Sequence, residues 1–321
     1  QLRVIEPDAP PATRAFGSNV ALDGNQILVA AEDDDGSAGA VYLFDIMGNQ
    51  INKLTASDAA PGHEFGQGIG IQGDRAVISA PGSNFFRGQL YLFDTLTGTQ
   101  IGDPISPTPN DLNPGDEFGN SLGFDGDRII AGVERAGLGG AAYIFDADGN
   151  QLQKLLPPID PVTMNPVRGF GRQVAISGDV ALVGATPDDA QVAPGEFGRA
   201  YLYDVNTGQM LFELRPDDST GEDLFSEDLD LSGNLALVGS RREAVLGELN
   251  TAYLFDVTTG QQVAQLMPGP DITPFDEALE GIALDGMFAV GGVESYDSPG
   301  FQNNGIAIVF DANFATFSPC D

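Results

Sequence analysis

The chain has 321 residues, 42% of them apolar, which is ample for a large buried core, and its 42 Gly and 21 Pro favour many short elements over long helices. Its 47 acidic and 14 basic side chains give a net charge of −33, and such a surface repels the phosphates of nucleic acids and of anionic lipids. No stretch approaches the roughly 20 apolar residues that a membrane helix needs, so we expect no nucleic-acid partner and no membrane insertion.

The predicted elements begin with a strand in residues 1–7. Its sequence, QLRVIEP, matches the sequences QLQKLLP and QMLFELRP further along the chain. Residues 16–22 and 27–31 then predict a hairpin, joined by a tight turn at Gly24 of the type that accepts positive φ.

The next predicted strand, AVYLFD in residues 40–45, is apolar on both faces. Val41 and Leu43 point one way, and Tyr42 and Phe44 point the other. A strand of this kind is covered on both sides, which favours stacked sheets over a sheet with one solvated face. A Gly turn after it predicts a fourth strand.

This four-strand pattern recurs six times. The copies begin at Phe16, Phe65, Phe118, Phe170, Phe225 and Ala278. Eight positions after each start lies a turn glycine: Gly24, Gly73, Gly126, Gly178, Gly233 and Gly286. Four-stranded antiparallel units of this length, packed face to face, predict an all-β protein with the six-bladed β-propeller fold.

The chain ends predict how the propeller closes. The sixth copy supplies three clear strands, and residues 1–7 supply the remaining one. We therefore expect the N-terminal strand to complete the last blade, so that residues 1–321 form a single β-propeller domain. If residues 313–319, NFATFSP, form a true fourth strand instead, the chain is part of a seven-bladed propeller.

The repeat resembles the FG-GAP repeat of bacterial type, which is distantly similar to the propeller repeats of integrin α subunits. Phe65, Gly66, Ala80 and Pro81 match the letters of that name, and the fifth and sixth copies lack the FG pair. The resemblance implies an extracellular propeller that binds protein partners and, in some blades, calcium. The integrin-like calcium loop lies between the first and second strands, where this chain has only a two-residue turn, so those metal ligands do not carry over.

A different acidic loop, EDDDGS in residues 32–37, offers a calcium site. Glu32, Asp33 and Asp35 supply the hard oxygen ligands that Ca²⁺ prefers. The alternative is a solvated turn on an acidic surface, and the sequence leaves both open. No other cofactor is expected.

An Asp closes the third strand of every copy. These residues are Asp45, Asp94, Asp146, Asp204, Asp256 and Asp311. Because each precedes a turn, where Asp accepts hydrogen bonds from nearby backbone N–H groups, we interpret them as structural.

The variable loop PGSNFFRG, residues 81–88, contains Phe85 and Phe86 beside Arg87. Exposed aromatic side chains there would form a partner-binding patch. The alternative is a loop that folds its own Phe pair inward.

The chain has one His and one Cys, His63 and Cys320, which disfavours nucleophilic and multi-His metal catalysis. We therefore expect a non-catalytic extracellular or cell-surface module that binds a protein or glycan. A self-assembling subunit of an extracellular filament, layer or matrix is the alternative, and a hydrolase or lyase with acids in the central funnel is a third. A start at Gln1 rather than Met suggests a processed or trimmed N-terminus.

Overall fold

The structure is a computed structural model that describes most of the chain. The described residues are 4–8, 15–108, 111–137, 139–186, 198–218, 224–241, 250–267, 278–293 and 306–311. They consist chiefly of β-strands and divide into two compact units, Gln1–Pro166 and Val167–Asp321. Among them, no helix is long and apolar enough to cross a membrane.

The first unit contains three antiparallel sheets of four strands, and in each sheet the strands lie side by side in chain order. The first sheet consists of β1 (Phe16–Asp23), β2 (Gln26–Ala31), β3 (Ala40–Asp45) and β4 (Gln50–Leu54). The second consists of β5 (Ile69–Gln72), β6 (Arg75–Ala80), β7 (Gln89–Asp94) and β8 (Thr99–Ile105). The third consists of β9 (Leu122–Asp125), β10 (Arg128–Val133), β11 (Ala141–Asp146) and β12 (Gln151–Leu155).

The second unit repeats this arrangement, with three strands described in its last sheet. The fourth sheet consists of β13 (Phe170–Ser177), β14 (Val180–Ala185), β15 (Arg199–Asp204) and β16 (Met210–Leu214). The fifth consists of β17 (Leu224–Ser232), β18 (Leu235–Arg241), β19 (Thr251–Asp256) and β20 (Gln262–Leu266). The sixth consists of β21 (Ala278–Asp285), β22 (Phe288–Val293) and β23 (Ile306–Asp311).

These six sheets are the blades of an all-β six-bladed β-propeller, which confirms the predicted fold class. We number the blades 1 to 6 in chain order. Each unit holds three blades. That all six form one domain, residues 1–321, stays a prediction.

The third strands of blades 1 to 5 are buried on both faces, as their two-sided apolar pattern predicts, whereas Val309 in the third strand of blade 6 is 65% exposed. In blade 1, Val41 and Leu43 pack in one core with Phe65 and other residues of blade 2, and all three are inaccessible to solvent. The opposite face of β3, with Tyr42 and Phe44, is also buried. Blade 1 therefore supplies one face of β3 to the core that it shares with blade 2, which is why β3 lacks a polar face.

In blades 1 to 5, the Phe that begins the repeat packs against two rings from the third strand of its own blade, and both contacts are edge-on in blades 1, 2 and 5. In blade 2, the ring of Phe65 lies 5.4 Å from Tyr91 and 5.8 Å from Phe93, centroid to centroid. The same triad occurs in blades 1, 3, 4 and 5. Edge-on contacts of this kind add about 0.5–1.5 kcal/mol per pair beyond the area that they bury.

The Gly after that Phe lies where the backbone of one blade meets a side chain of the blade before it. Gly119 has a φ of +88°, and a Cβ added there would lie 2.8 Å from Cβ of Ser79. Blade 5 has Ser226 at this position, also with positive φ and fully buried. Its Cβ has room because blade 4 has Gly184 where blade 2 has Ser79. The missing FG pair of blade 5 is thus compensated across the blade interface.

We predict that Gly119→Ala lowers the free energy of unfolding by about 2–4 kcal/mol, because the added methyl group combines backbone strain with a clash against Ser79. Gly73→Ala is the control: Gly73 has a φ of +58° and no atom within 4 Å of an added Cβ. It should cost about 1–2 kcal/mol from strain alone. Urea unfolding of both variants checks the difference, and equal losses would contradict the close approach.

The N-terminal segment contacts blade 1 through Ile5 and Asp8. Ile5 packs against the core that contains Tyr42 and Phe44, and the backbone N–H of Asp8 donates to Oε1 of Gln50 at 2.9 Å. The backbone N–H of Ser57 makes the equivalent bond to Gln100 of blade 2. The N-terminal segment therefore contacts blade 1 in the same way as the junction after β4 contacts blade 2. Residues 1–3 lie outside the described residues, and completion of the last blade by residues 1–7 stays a prediction.

We predict that Ile5→Ala lowers the free energy of unfolding by about 1 kcal/mol, because Ile5 is packed but only partly buried. Val4 is 84% exposed, so Val4→Ala should change it by less than about 0.5 kcal/mol. Denaturant unfolding of the two variants measures this contrast. An Ile5 variant as stable as the Val4 variant would mean that the segment does not anchor the fold.

Candidate functional site

The antiparallel order of the strands places two kinds of segment on the same side of each blade. The loop from the second to the third strand opens there, and so does the junction that leads to the next blade. In the first unit we call this side the loop face. It is formed by the loops 32–39 and 81–88, by the junction 55–65 and by the described residues 106–108 and 111–118 of the next junction.

Two loops of the loop face share an unusual backbone. They contain the short turns α1 (Asp34–Ser37) and α2 (Ser83–Phe86), each with three consecutive residues at positive φ. In blade 1 these residues are Asp35, Gly36 and Ser37, and in blade 2 they are Asn84, Phe85 and Phe86. Asp, Gly and Asn accept this region readily, but bulky aromatic residues do so at an energetic cost. Blade 2 thus places two aromatic residues where the backbone disfavours them.

The same two aromatic side chains point outward. Phe85 is 79% exposed and Phe86 is 48% exposed. The structure therefore does not show the inward-folded pair that the sequence left as an alternative. Whether Phe85, Phe86 and Arg87 bind a partner stays a prediction.

The aromatic loop is fastened to blade 3 by backbone hydrogen bonds. The carbonyl of Phe86 accepts from the N–H groups of Gly115 at 3.0 Å and Glu117 at 2.9 Å. Arg87 is half-buried, and its side-chain Nε donates to the carbonyl of Leu112 at 3.3 Å. These bonds hold the strained loop, so the aromatic pair is presented on a fixed support.

The acidic loop of blade 1 depends on a residue that the sequence did not single out. Asp34 is buried, and its Oδ2 accepts from the hydroxyl of Tyr42 at 3.0 Å and from Nζ of Lys53 at 2.6 Å. The predicted calcium ligands lie around it: Asp33 and Asp35 are exposed, and Glu32 is half-buried. The carboxylate of Asp34 is therefore engaged within the blade, and Oδ1 of Asp33 accepts from the hydroxyl of Ser37 at 3.0 Å.

Within the part of the chain that the structure describes, no group of three His, Cys, Asp or Glu side chains is placed to hold a metal ion. The calcium site at Glu32, Asp33 and Asp35 therefore stays a prediction from the sequence.

Carboxylates crowd one another on the loop face. Burial raises the pKa of Glu64 above its usual value, and the charges of Glu117, Glu32 and Asp33 raise it further. Burial and the charge of Asp33 raise the pKa of Glu32. Glu117 forms an ion pair with Arg135 of blade 3. The loop face is therefore acidic and internally repulsive.

The Asp residues that close the third strands serve the turns that follow them. Oδ1 of Asp94 accepts from the backbone N–H of Thr97 at 2.8 Å, and Oδ1 of Asp204 accepts from that of Thr207 at 2.7 Å. The backbone N–H and hydroxyl of Thr97 lower the pKa of Asp94, and the hydroxyl and backbone N–H of Thr207 lower the pKa of Asp204. Equivalent bonds occur at Asp45, Asp146 and Asp256. The structural interpretation is confirmed for these five, and the turn after Asp311 lies outside the described residues.

Sequence reasoning missed an Asp seven residues before the repeat Phe. Asp58 accepts from the hydroxyl of Tyr91 at 2.9 Å, and Asp218 accepts from that of Tyr253 at the same distance. Each bond ties a junction to the third strand of the blade that it enters. The constant offset from Phe65 and Phe225 was visible in the sequence and could have revealed the pair.

In the second unit, carboxylates connect the first strand of blade 5 to the first strand of blade 6. Oδ2 of Asp228 on β17 accepts from the backbone N–H of Ile282 on β21, and Oδ2 of Asp230 accepts from that of Leu284, both at 2.7 Å. Blade 2 has Gly68 and Gly70 at these positions, where an added Cβ would lie within 2.8 Å of blade 3. At the interface of blades 2 and 3, glycines allow the two backbones to approach closely. At the interface of blades 5 and 6, acidic side chains bridge the two strands by accepting from backbone N–H groups.

We predict a pH-dependent contribution from Asp228. Burial raises its pKa to about 6, although two backbone N–H groups lower it, and the charges of Asp230 and Glu227 raise it further. The folded chain then binds this proton more tightly than the unfolded chain, so this group lowers stability as pH rises from about 4 to 6.

Asp228→Asn cannot ionise, so its stability relative to the natural chain should rise by roughly 1–2 kcal/mol over that pH interval. Urea unfolding between pH 4 and 7.5 measures this, with the exposed Asp74→Asn as the control. A pH-independent difference, or one of opposite sign, would contradict the raised pKa.

Six blades built from one repeat define the class of this protein as a repeat β-propeller. The FG-GAP repeat family matches residues 7–44, 49–93 and 166–203, which lie in blades 1, 2 and 4. The matched segments are therefore FG-GAP repeats, and the six-bladed fold agrees with that family, as the resemblance implied. No curated protein matches the chain.

Proposed function

We propose that the chain is a non-catalytic interaction module, extracellular or at the cell surface, that binds a protein or glycan through the loop face of its first unit. One observation carries this proposal: Phe85 and Phe86 are exposed on a loop whose backbone is strained at both residues. Strain and apolar exposure both oppose folding, and aromatic side chains of this kind are common anchors of binding interfaces.

Two further observations support a binding role. The FG-GAP propeller fold suggests a protein-interaction module. The chain has one His and one Cys, so the residue types of acid–base and nucleophilic catalysis are scarce, which favours binding over a hydrolase or lyase. The strongly acidic composition is suited to solubility in salt-rich or calcium-rich surroundings, which supports the extracellular location.

A specific observation favours self-assembly as the second candidate. The fourth strand of each blade lies at the edge of its sheet, and we call it the outer strand. In four blades, the outer strand exposes one apolar side chain at the same position. These are Ile51, Leu152, Leu211 and Val263, each between 41% and 48% exposed. An outer strand with exposed apolar residues is a site where edges of two copies can pair.

We predict that the double substitution Phe85→Ala and Phe86→Ala weakens partner capture while leaving the fold intact, because it removes two exposed aromatic anchors and keeps the backbone hydrogen bonds that hold the loop. The full chain and the variant are immobilised and exposed to cell-surface proteins and to a glycan array, and each captured partner is measured by titration. We expect at least a tenfold loss of affinity. Equal affinity for every partner would contradict the proposal.

Ile51→Ala with Leu152→Ala is the matched control, since it removes apolar area from the outer strands alone. This control variant should bind the same partners with unchanged affinity. Light scattering of the same proteins, with Ca²⁺ and then with a chelator, separates the two candidates. A concentration-dependent polymer that the outer-strand variant abolishes would favour the building block, and a monomer throughout would favour the interaction module.

A further inference from the structure

The exposed aromatic pair lies beside the carboxylates of the loop face. The backbone N–H of Glu117 donates to the carbonyl of Phe86, which places the two residues in direct contact. The loop's first glycine, Gly82, donates its N–H to the carbonyl of His63, the neighbour of Glu64. Glu64 in turn is close enough to Glu117 for their charges to interact. The pair and the acids therefore form one continuous surface.

The acids extend from this point to the loop of blade 1. The backbone N–H of Glu64 donates to the carbonyl of Ser37 at 2.9 Å, and its carboxylate interacts with the charges of Glu32 and Asp33. Among the described residues, four cations contact the loop face. Arg135 is paired with Glu117, Lys53 with Asp34 and Lys154 with Asp111, and Arg87 donates to a backbone carbonyl of blade 3. The loop face therefore carries more negative than positive charge.

We propose that the partner at this surface is a protein with an apolar pocket bordered by Lys and Arg side chains. This inference rests on the proposed function. Phe85 and Phe86 fill the pocket, and the basic border faces Glu32, Asp33, Glu64 and Glu117. Cations near these carboxylates replace mutual repulsion by attraction, so binding is strengthened where the free surface is electrostatically unfavourable.

The charges also argue against the other classes of partner. Nucleic acids and anionic glycans add negative charge to an already repulsive surface. A neutral glycan can stack on Phe85 and Phe86 but supplies no cation to the acids. Only a basic protein surface satisfies both parts of the loop face.

The test is a selection against the full chain with a phage-displayed library of a small β-sandwich domain that has three randomised loops. Binders that fail on the Phe85→Ala and Phe86→Ala variant are kept, so that only binders of this surface remain. We expect their loops to be enriched in Lys and Arg around apolar residues. Their affinity should fall at least tenfold between 50 and 500 mM NaCl, because attraction between exposed charges is screened by salt.

A matched pair of variants tests the acids directly. Glu64→Gln with Glu117→Gln should weaken these binders by about fivefold or more. Asp74→Asn with Asp127→Asn changes the net charge equally at exposed turn positions and should leave affinity unchanged. Equal effects of the two pairs would show a general charge effect and overturn the inference.

The outcomes separate the two proposals. Phe-dependent binders without basic enrichment, or with salt-insensitive affinity, would overturn the inference and leave the proposed function standing. Phe-dependent binding of neutral glycans on an array, with no basic binders, would do the same and assign the surface to a glycan. The absence of Phe-dependent binding of either class would contradict the proposed function itself.

Discussion

The structure depends on the packing of one blade against the next. In blades 1, 2 and 4, the apolar face of the third strand packs in one core with the aromatic triad of the following blade. This contact requires the backbones to come close at the start of each repeat, which is why a residue at positive φ follows the Phe. Where Ser226 replaces the Gly, the preceding blade has Gly184, and the interface keeps its spacing.

Because the packing between blades stabilises the fold, the loops of the loop face can differ in sequence from blade to blade. The loops of blades 1 and 2 follow the same left-handed backbone, but one carries Asp and Ser and the other carries Phe85 and Phe86. Both loops are fixed by backbone hydrogen bonds to the next blade, so their conformation does not depend on the exposed side chains. The same frame therefore presents an acidic loop and an aromatic loop side by side.

Several acidic side chains stabilise the fold, a role that the amino-acid composition does not reveal. A chain with 47 acidic residues offers many apparent sites, yet several of its acids accept hydrogen bonds from the protein itself. Asp34 and Asp58 accept from tyrosine hydroxyls of the third strands, and Asp228 and Asp230 accept from strand-edge N–H groups. Those acids are occupied, so the free negative charge of the loop face belongs to a smaller set that includes Glu64.

The sequence by itself determined the repeat, the number of blades, the two-sided strands and the turn residues, because spacing and alternation are local properties that the chain displays directly. It also marked Phe85, Phe86 and the acidic loop as candidates. Only the tertiary structure decided that the Phe pair points outward, that Asp34 is buried under Tyr42, and that Glu64 and Glu117 come close to each other. These facts depend on which segments fold against one another, within a blade for Asp34 and Tyr42 and between blades for Glu64 and Glu117, and no local pattern encodes which side chains such contacts bury and which they leave in solvent.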